Sequence, residues 1–244
     1  GFFMKRFSRI LLLTVILAAL TLSGCTYDPP EGYTEKHHTY EEVLAYAKTL
    51  DPDATVSEEY TDTTIDDWDR SFREWPAVIN GIECHVSSVG DMIFNGGFAA
   101  GEFTRQYFYI DTDYDYLLLE EIVKEKQPDW SMRSDDISSR YNWNHILVVQ
   151  TSYSNERQLT DEELETAWQA AQEIHEEYSK YPVRKQDRFD VPAPGEFYSP
   201  ATEEYIIKMS TASIRDFSQE GKDEFFKEYH ERWALTESEP TETD

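Results

Sequence analysis

Apolar positions along the chain fall into helical stripes separated by alternating or continuous apolar runs, and together they predict a mixed set of elements. Thr39 with Glu42 three residues later makes a capping box, and Val43, Leu44, Ala47 and Leu50 repeat on one helical face, so a helix is expected over 39–50, ended by Asp51-Pro52. Residues 54–60 read as a strand and 62–69 as an acidic loop. The clearest hairpin joins 72–79 to 82–89 through Asn80-Gly81, the pair that best tolerates the positive φ angles of a type I′ turn. Gly96, Gly97 and Gly101 mark an irregular connection before an aromatic-rich strand at 103–110. A second helix is expected over 114–126, with acids at its front and Pro128 closing it.

Strands follow at 131–137 and 144–153. The unbroken Ile146-Leu147-Val148-Val149 suggests a central strand buried on both faces. Thr160 and Glu163 form a second capping box with Leu159 placed to staple onto Leu164, and Leu164, Ala167, Trp168, Ala171, Ile174 and Tyr178 form one stripe of a third helix. After Tyr181-Pro182 the sequence reads as a polar, proline-punctuated connector as far as Tyr198. Ser199-Pro200 then resembles an N-cap and first-turn pair opening a helix through Met209, with a strand over 204–209 as the alternative. Phe225, Phe226, Tyr229 and Trp233 share a face of a last helix.

These elements predict an α+β fold: a mainly antiparallel sheet of about five or six strands, with helices packed on one face and a helical C-terminus. One internal echo stands out. Tyr40, Lys48, Pro52 and Asp53 recur as Tyr116, Lys124, Pro128 and Asp129 at an offset of 76, each set running from a helix into a strand.

The N-terminal stretch changes the picture from fold to location. Lys5, Arg6 and Arg9 precede an apolar run from Ile10 to Leu22, which ends in Leu22-Ser23-Gly24-Cys25. Basic region, apolar core and small-residue cleavage site are the parts of a secretory signal, and the run is shorter than the ~20 residues that span a bilayer as a helix. Its last four residues resemble the lipobox of bacterial lipoproteins, and the whole looks like the uncharacterised lipoproteins of Gram-positive bacteria. That resemblance implies cleavage before Cys25 and a diacylglyceryl group on its thiol, anchoring an extracytoplasmic protein to the cell membrane. An ordinary signal peptide with a coincidental cysteine is the alternative. Met4 is the expected start. The expected organisation is then a removed signal at 1–24, the lipidated Cys25 with a flexible tether to 38, a single α+β domain over 39–235, and an acidic disordered tail over 236–244.

Charge narrows the partners. The chain carries 22 basic and 49 acidic residues, a formal charge of −27. Removal of 1–24 takes Lys5, Arg6 and Arg9 and no acid, leaving 19 basic residues and a charge of −30. Such a surface repels nucleic acid and anionic lipid, so membrane contact should come through the lipid alone. With Cys25 lipidated, Cys84 has no disulfide partner and stability must come from packing.

Candidate chemistry is sparse, and no catalytic residue is assigned. Cys84-His85 invites a nucleophile reading, but adjacent strand residues face opposite ways, which puts Cys84 with Ile82 and Val86 on the apolar side. Asp111, Asp113 and Asp115 resemble the opening of a calcium loop, yet Tyr116 and Ile122 occupy the positions where an EF-hand needs Gly and Glu. Another calcium geometry, or acids at a helix front with no ion, would account for the same residues. Zinc spacing, phosphate-binding glycine loops and nucleophile elbows are missing from the sequence. Tyr141, Asn142, Trp143 and Asn144 alternate aromatic and amide groups and would suit stacking against sugar, or the edge of a core. The expected function is therefore binding of a protein partner or cell-wall component by a lipid-anchored domain. An envelope hydrolase acting through carboxylates and an acidic calcium-binding or structural lipoprotein are the alternatives.

Overall fold

The computed structural model describes residues 34–65, 70–94, 104–133, 145–154, 156–199 and 204–237. The fold is α+β, and the described residues form two mainly antiparallel sheets of five and four strands and four helices, the last of them toward the C-terminus. The strands expected in one sheet thus belong to two.

The first helix, α1 (Tyr40–Leu50), starts at the expected capping box and buries Val43, Ala47 and Leu50. It leads into the first sheet: β1 (Thr55–Val56), β2 (Thr61–Ile65), β3 (Arg70–Ile79), β4 (Ile82–Phe94) and β5 (Thr104–Thr112). β1 and β2 share one edge of β3, followed by β4 and β5, all antiparallel. Thr61–Ile65 is therefore a strand and not the start of an acidic loop. Its threonines suit a pleated edge, and the Asp62 carboxylate meets Arg73 across the pair at 2.8 Å. At the hairpin tip, Asn80 and Gly81 hold φ of 49° and 79°, as the expected turn demands. Asn80 also donates its N–H to Asp51 and its amide to the Tyr114 hydroxyl, which pins the tip to the end of α1.

The helix α2 (Tyr114–Lys126) follows β5 directly, and both α1 and α2 lie against β4. The second sheet contains β6 (Ser131–Met132), β7 (Ile146–Gln150), β8 (Gln186–Ser199) and β9 (Glu204–Ile214), in that order. β7 and β8 run parallel, joined by α3 (Asp161–Tyr178), which has the predicted capping box and stripe. α4 (Gln219–Glu237) packs on β8 and β9 through Phe225 and Tyr229. The main core joins both sheets and the four helices, from Val43 and Trp75 through Leu119 and Trp168 to Phe189 and Tyr229, and a small separate cluster of Phe72 and Val89 lies on the first sheet.

Two expectations fail in this half. The polar connector is β8, a 14-residue strand, despite Pro192 and Pro194. The ladder explains how both prolines are tolerated. Gln186 N–H and the Asp190 carbonyl point toward the β7 side, so even-numbered residues of β8 face β7. β7 pairs only as far as Asp190, so the missing N–H groups of Pro192 and Pro194 face a side that β7 no longer occupies. The helix expected from Ser199-Pro200 is also absent, since Ser199 ends β8 and Glu204 opens β9. A long partner strand decides between the two readings.

The echo at offset 76 has a structural counterpart. Asp51 N–H bonds the Ala47 carbonyl and Ala54 N–H bonds that of Asp51; 76 residues on, Gln127 bonds Val123 and Trp130 bonds Gln127. Each turn delivers a two-residue strand, β1 and β6, to the edge of a sheet.

Candidate functional site

The three aspartates singled out by their spacing lie where β5 passes into α2. Strand alternation breaks there, because Asp111 belongs to the strand, Asp113 to the turn and Asp115 to the first helical turn. Their carboxylates accordingly take separate partners. Asp111 faces the Lys185 ammonium at 3.2 Å, and that ammonium also donates to the Thr112 carbonyl at 3.0 Å. Asp113 accepts the backbone N–H of His85 at 2.6 Å and lies 3.3 Å from its ring Nδ1. Asp115 accepts the backbone N–H groups of Arg184 and Lys185, both at 2.9 Å. The three carboxylates expected for calcium thus do not converge, and no group of three His, Cys, Asp or Glu among the described residues is placed to hold a metal ion. Nor does Asp113 cap α2 with its side chain, since His85 claims the carboxylate.

This cluster is a joint between the sheets. Lys185 directly precedes β8, so its charge and backbone lock the second sheet to the end of the first, and its side chain has no solvent exposure. Burial pushes the Asp111 carboxyl above its ordinary range, against the pull of Lys185. It does the same to Asp115, against the two backbone N–H groups and Lys185. The second oxygen of Asp115 is buried without a hydrogen-bond partner among the described residues. Raised carboxyls in an open cleft would suit general acid catalysis, but these two are buried and engaged by structural partners.

Cys84 faces the core, as expected, and burial pushes its thiol up to about 12, with the Asp113 charge adding to the effect. It is an inert packing residue. His85 points the other way, half exposed, into a hollow of about 520 Å³ beside Ser57, Pro76, Val78 and Glu83.

The second sheet carries a more polar recess of about 510 Å³, lined from four elements. Gln150 ends β7 and is followed by Thr151, Ser152 and Tyr153; Arg133 follows β6; Ser210 and Thr211 come from β9. Buried Asp190 lies at its floor, its carboxylate filled by both nitrogens of an Arg188 fork at 3.0 and 3.2 Å and by the Ser213 hydroxyl at 2.8 Å. The Asp190 charge is therefore compensated, and the lining presents hydroxyl, amide and guanidinium groups beside one phenol ring and the apolar Pro192 and Met209, with the Thr151 hydroxyl donating to the Asp190 carbonyl.

Of the residues expected to bind or anchor, Tyr141, Asn142, Trp143 and Asn144 lie outside the described residues, as do Leu22, Ser23, Gly24 and Cys25. Lys185, His85 as the partner of Asp113, and the Arg188–Asp190 pair were not foreseen. Asp111 and Asp113 lie 74 and 28 residues from Lys185 and His85, beyond any local spacing, and Arg188 and Asp190 share a face of β8, a strand that the sequence reads as a connector. One expected boundary shifts: residues 34–38, read as the end of a flexible tether, pack on the first sheet. Thr34 exchanges two backbone hydrogen bonds with Phe108, and His38 is buried. No protein-family model, curated protein or solved structure matches the chain.

Proposed function

We propose that the chain is a lipid-anchored extracytoplasmic binding protein, held at the cell membrane by a diacylglyceryl group on Cys25, and that its domain takes a neutral, hydroxyl-rich cell-wall glycan in the recess of the second sheet. The recess carries the reading. Its hydroxyl and amide walls match the donor and acceptor pattern of a sugar, and Tyr153 offers a ring for stacking. The formal charge of −30 left after signal removal disfavours anionic polymers, which favours a neutral ligand. In sequence, Tyr141, Asn142, Trp143 and Asn144 fall between Arg133 and Gln150, both recess residues, and are aromatic and amide groups of the same kind. The anchor reading is supported by the N-terminal pattern alone.

Calorimetric titration with soluble wall oligosaccharides tests the ligand. Saturable binding weakened about tenfold or more by Tyr153→Ala or Thr151→Val is expected, and binding unchanged in both variants removes the recess from the proposal. Radiolabelled fatty acid incorporated by the parent and not by Cys25→Ala is the expected sign of the anchor. Equal labelling of both refutes it.

A further inference from the structure

The segment that joins the N-terminal region to the domain is fastened by an unusual contact. Three nitrogens converge on the hydroxyl of fully buried Ser88 in β4: the backbone N–H of His38 at 3.0 Å, the His38 ring Nδ1 at 3.1 Å and the His37 ring Nδ1 at 3.2 Å. A serine hydroxyl has one proton and two lone pairs. The His38 N–H uses one lone pair. The two rings can then both bond only if one Nδ1 accepts the hydroxyl proton and the other donates into the remaining lone pair. The accepting ring must therefore be neutral, while the donating ring keeps its bond to Ser88 whether neutral or protonated and is disfavoured as a cation by its burial. With both protonated, three N–H donors face two lone pairs and the hydroxyl proton has no acceptor in the trio.

We propose that residues 34–38 are a latch, closed on Ser88 and opened by protonation of His37 and His38. The net effect of the groups packed around the two rings is a preference for the neutral form, with acids on β2 and α1 opposing it. His37 lies 4.2 Å from the Phe108 ring of β5, with its Nε2 at 3.5 Å from the Ser71 hydroxyl of β3. Burial, then the Arg73 charge, hold its pKa below the ordinary value, with Asp62 of β2 and the hydrogen bond at Ser88 opposing and the His38 charge adding to the lowering. Burial likewise lowers His38, opposed by Glu42 of α1. A histidine whose docked pKa is depressed contributes stability above its free value of about 6.5, and that stability is lost as pH falls. Asp62 and Glu42 are both held below their ordinary ranges by their own hydrogen bonds, to Arg73 and Thr39, so they stay ionised where the histidines titrate.

Opening would release the Thr34–Phe108 bridge and hand five residues to the tether, up to about 17 Å of added reach at about 3.4 Å per residue. That consequence rests on the lipid anchor; the latch itself does not. If the anchor fails, the fatty-acid labelling of Cys25 reports it without touching the latch.

Hydrogen exchange of the full chain in detergent micelles, corrected for intrinsic rates and followed from pH 7.5 to 5.5, tests the latch. Two protons taken up per opening predict that the opening constant at the amides of Phe108 and His38 rises by about 100-fold per pH unit once below about 6.5. The amide of Val86, in the core of the same sheet, should stay protected. His38→Gln should reduce the dependence to about tenfold per unit. A flat profile in the parent chain overturns the proposal, as does an unchanged slope in the double His37→Gln, His38→Gln variant. Loss of protection at Val86 in step with the strap also overturns it, since the event would then be global unfolding.

Discussion

Removal of the Lys185 ammonium should weaken the fold more than its single ion pair suggests. The side chain is wholly buried, and Asp111 opposite it is nearly so. Lys185→Met keeps much of the stem volume while leaving Asp111 without its counter-ion, held only by the Thr112 N–H among the described residues, and removing a hydrogen bond from the Thr112 carbonyl. Breaking a buried pair by deleting one partner costs about 3–5 kcal/mol. In a domain of this size, at about 2–4 °C per kcal/mol, the melting temperature should fall by about 6–20 °C at pH 7. The penalty should also shrink on acidification. Burial already raises the Asp111 pKa, and loss of Lys185 raises it further. A carboxyl with a raised folded-state pKa binds its proton more tightly folded than unfolded, so it adds stability at low pH that is lost as pH rises through the folded value. Urea unfolding followed by tryptophan fluorescence between pH 5 and 7.5 reads both effects. Adding Asp111→Leu should recover most of the loss, because the pair is then replaced by apolar groups. A Lys185→Met penalty under 1 kcal/mol, or one that stays constant with pH, would refute this account of the joint.

Two smaller perturbations probe the rest of the scaffold. Gly81→Ala places a Cβ at φ +79°, where it meets no atom within 4 Å, so about 1–2 kcal/mol of backbone strain is the whole expected effect in equilibrium unfolding. The Cys84 thiol, pushed up to about 12, should resist iodoacetamide at pH 8 in the folded chain and react readily once the protein is unfolded in urea. Fast labelling under native conditions would contradict its placement in the core.

Much of the fold was legible where chemistry is local. Thr39 with Glu42 and Thr160 with Glu163 mark helix starts because the bonds they make span three residues. Asn80-Gly81 marks the hairpin because its φ angles are a property of two residues. Alternation placed Cys84 inside for the same reason. The misread elements were those whose partners lie elsewhere. Thr61–Ile65 is a strand because β3 pairs with it, and Pro192 and Pro194 sit in β8 because β7 stops at Gln150. The single expected sheet became two because pairing is a choice between strands, and an alternating pattern names the buried face without naming the neighbour.

The sites divide along the same line. Spacing drew attention to Asp111, Asp113 and Asp115, and to Cys84-His85, but only the tertiary structure decided their roles. The strand–turn–helix junction turns the three carboxylates apart, and Lys185 and the backbone of 184–185, some seventy residues on, neutralise or cap two of them. The two histidines before α1 looked like part of a tether until Ser88, fifty residues away, was folded beneath them. By itself the sequence determined the two capped helix starts, the hairpin turn and the acidic charge, because each depends on neighbouring residues or on composition. The joint, the recess and the latch needed the folded chain, because each is built from groups that only long-range pairing brings within hydrogen-bond distance.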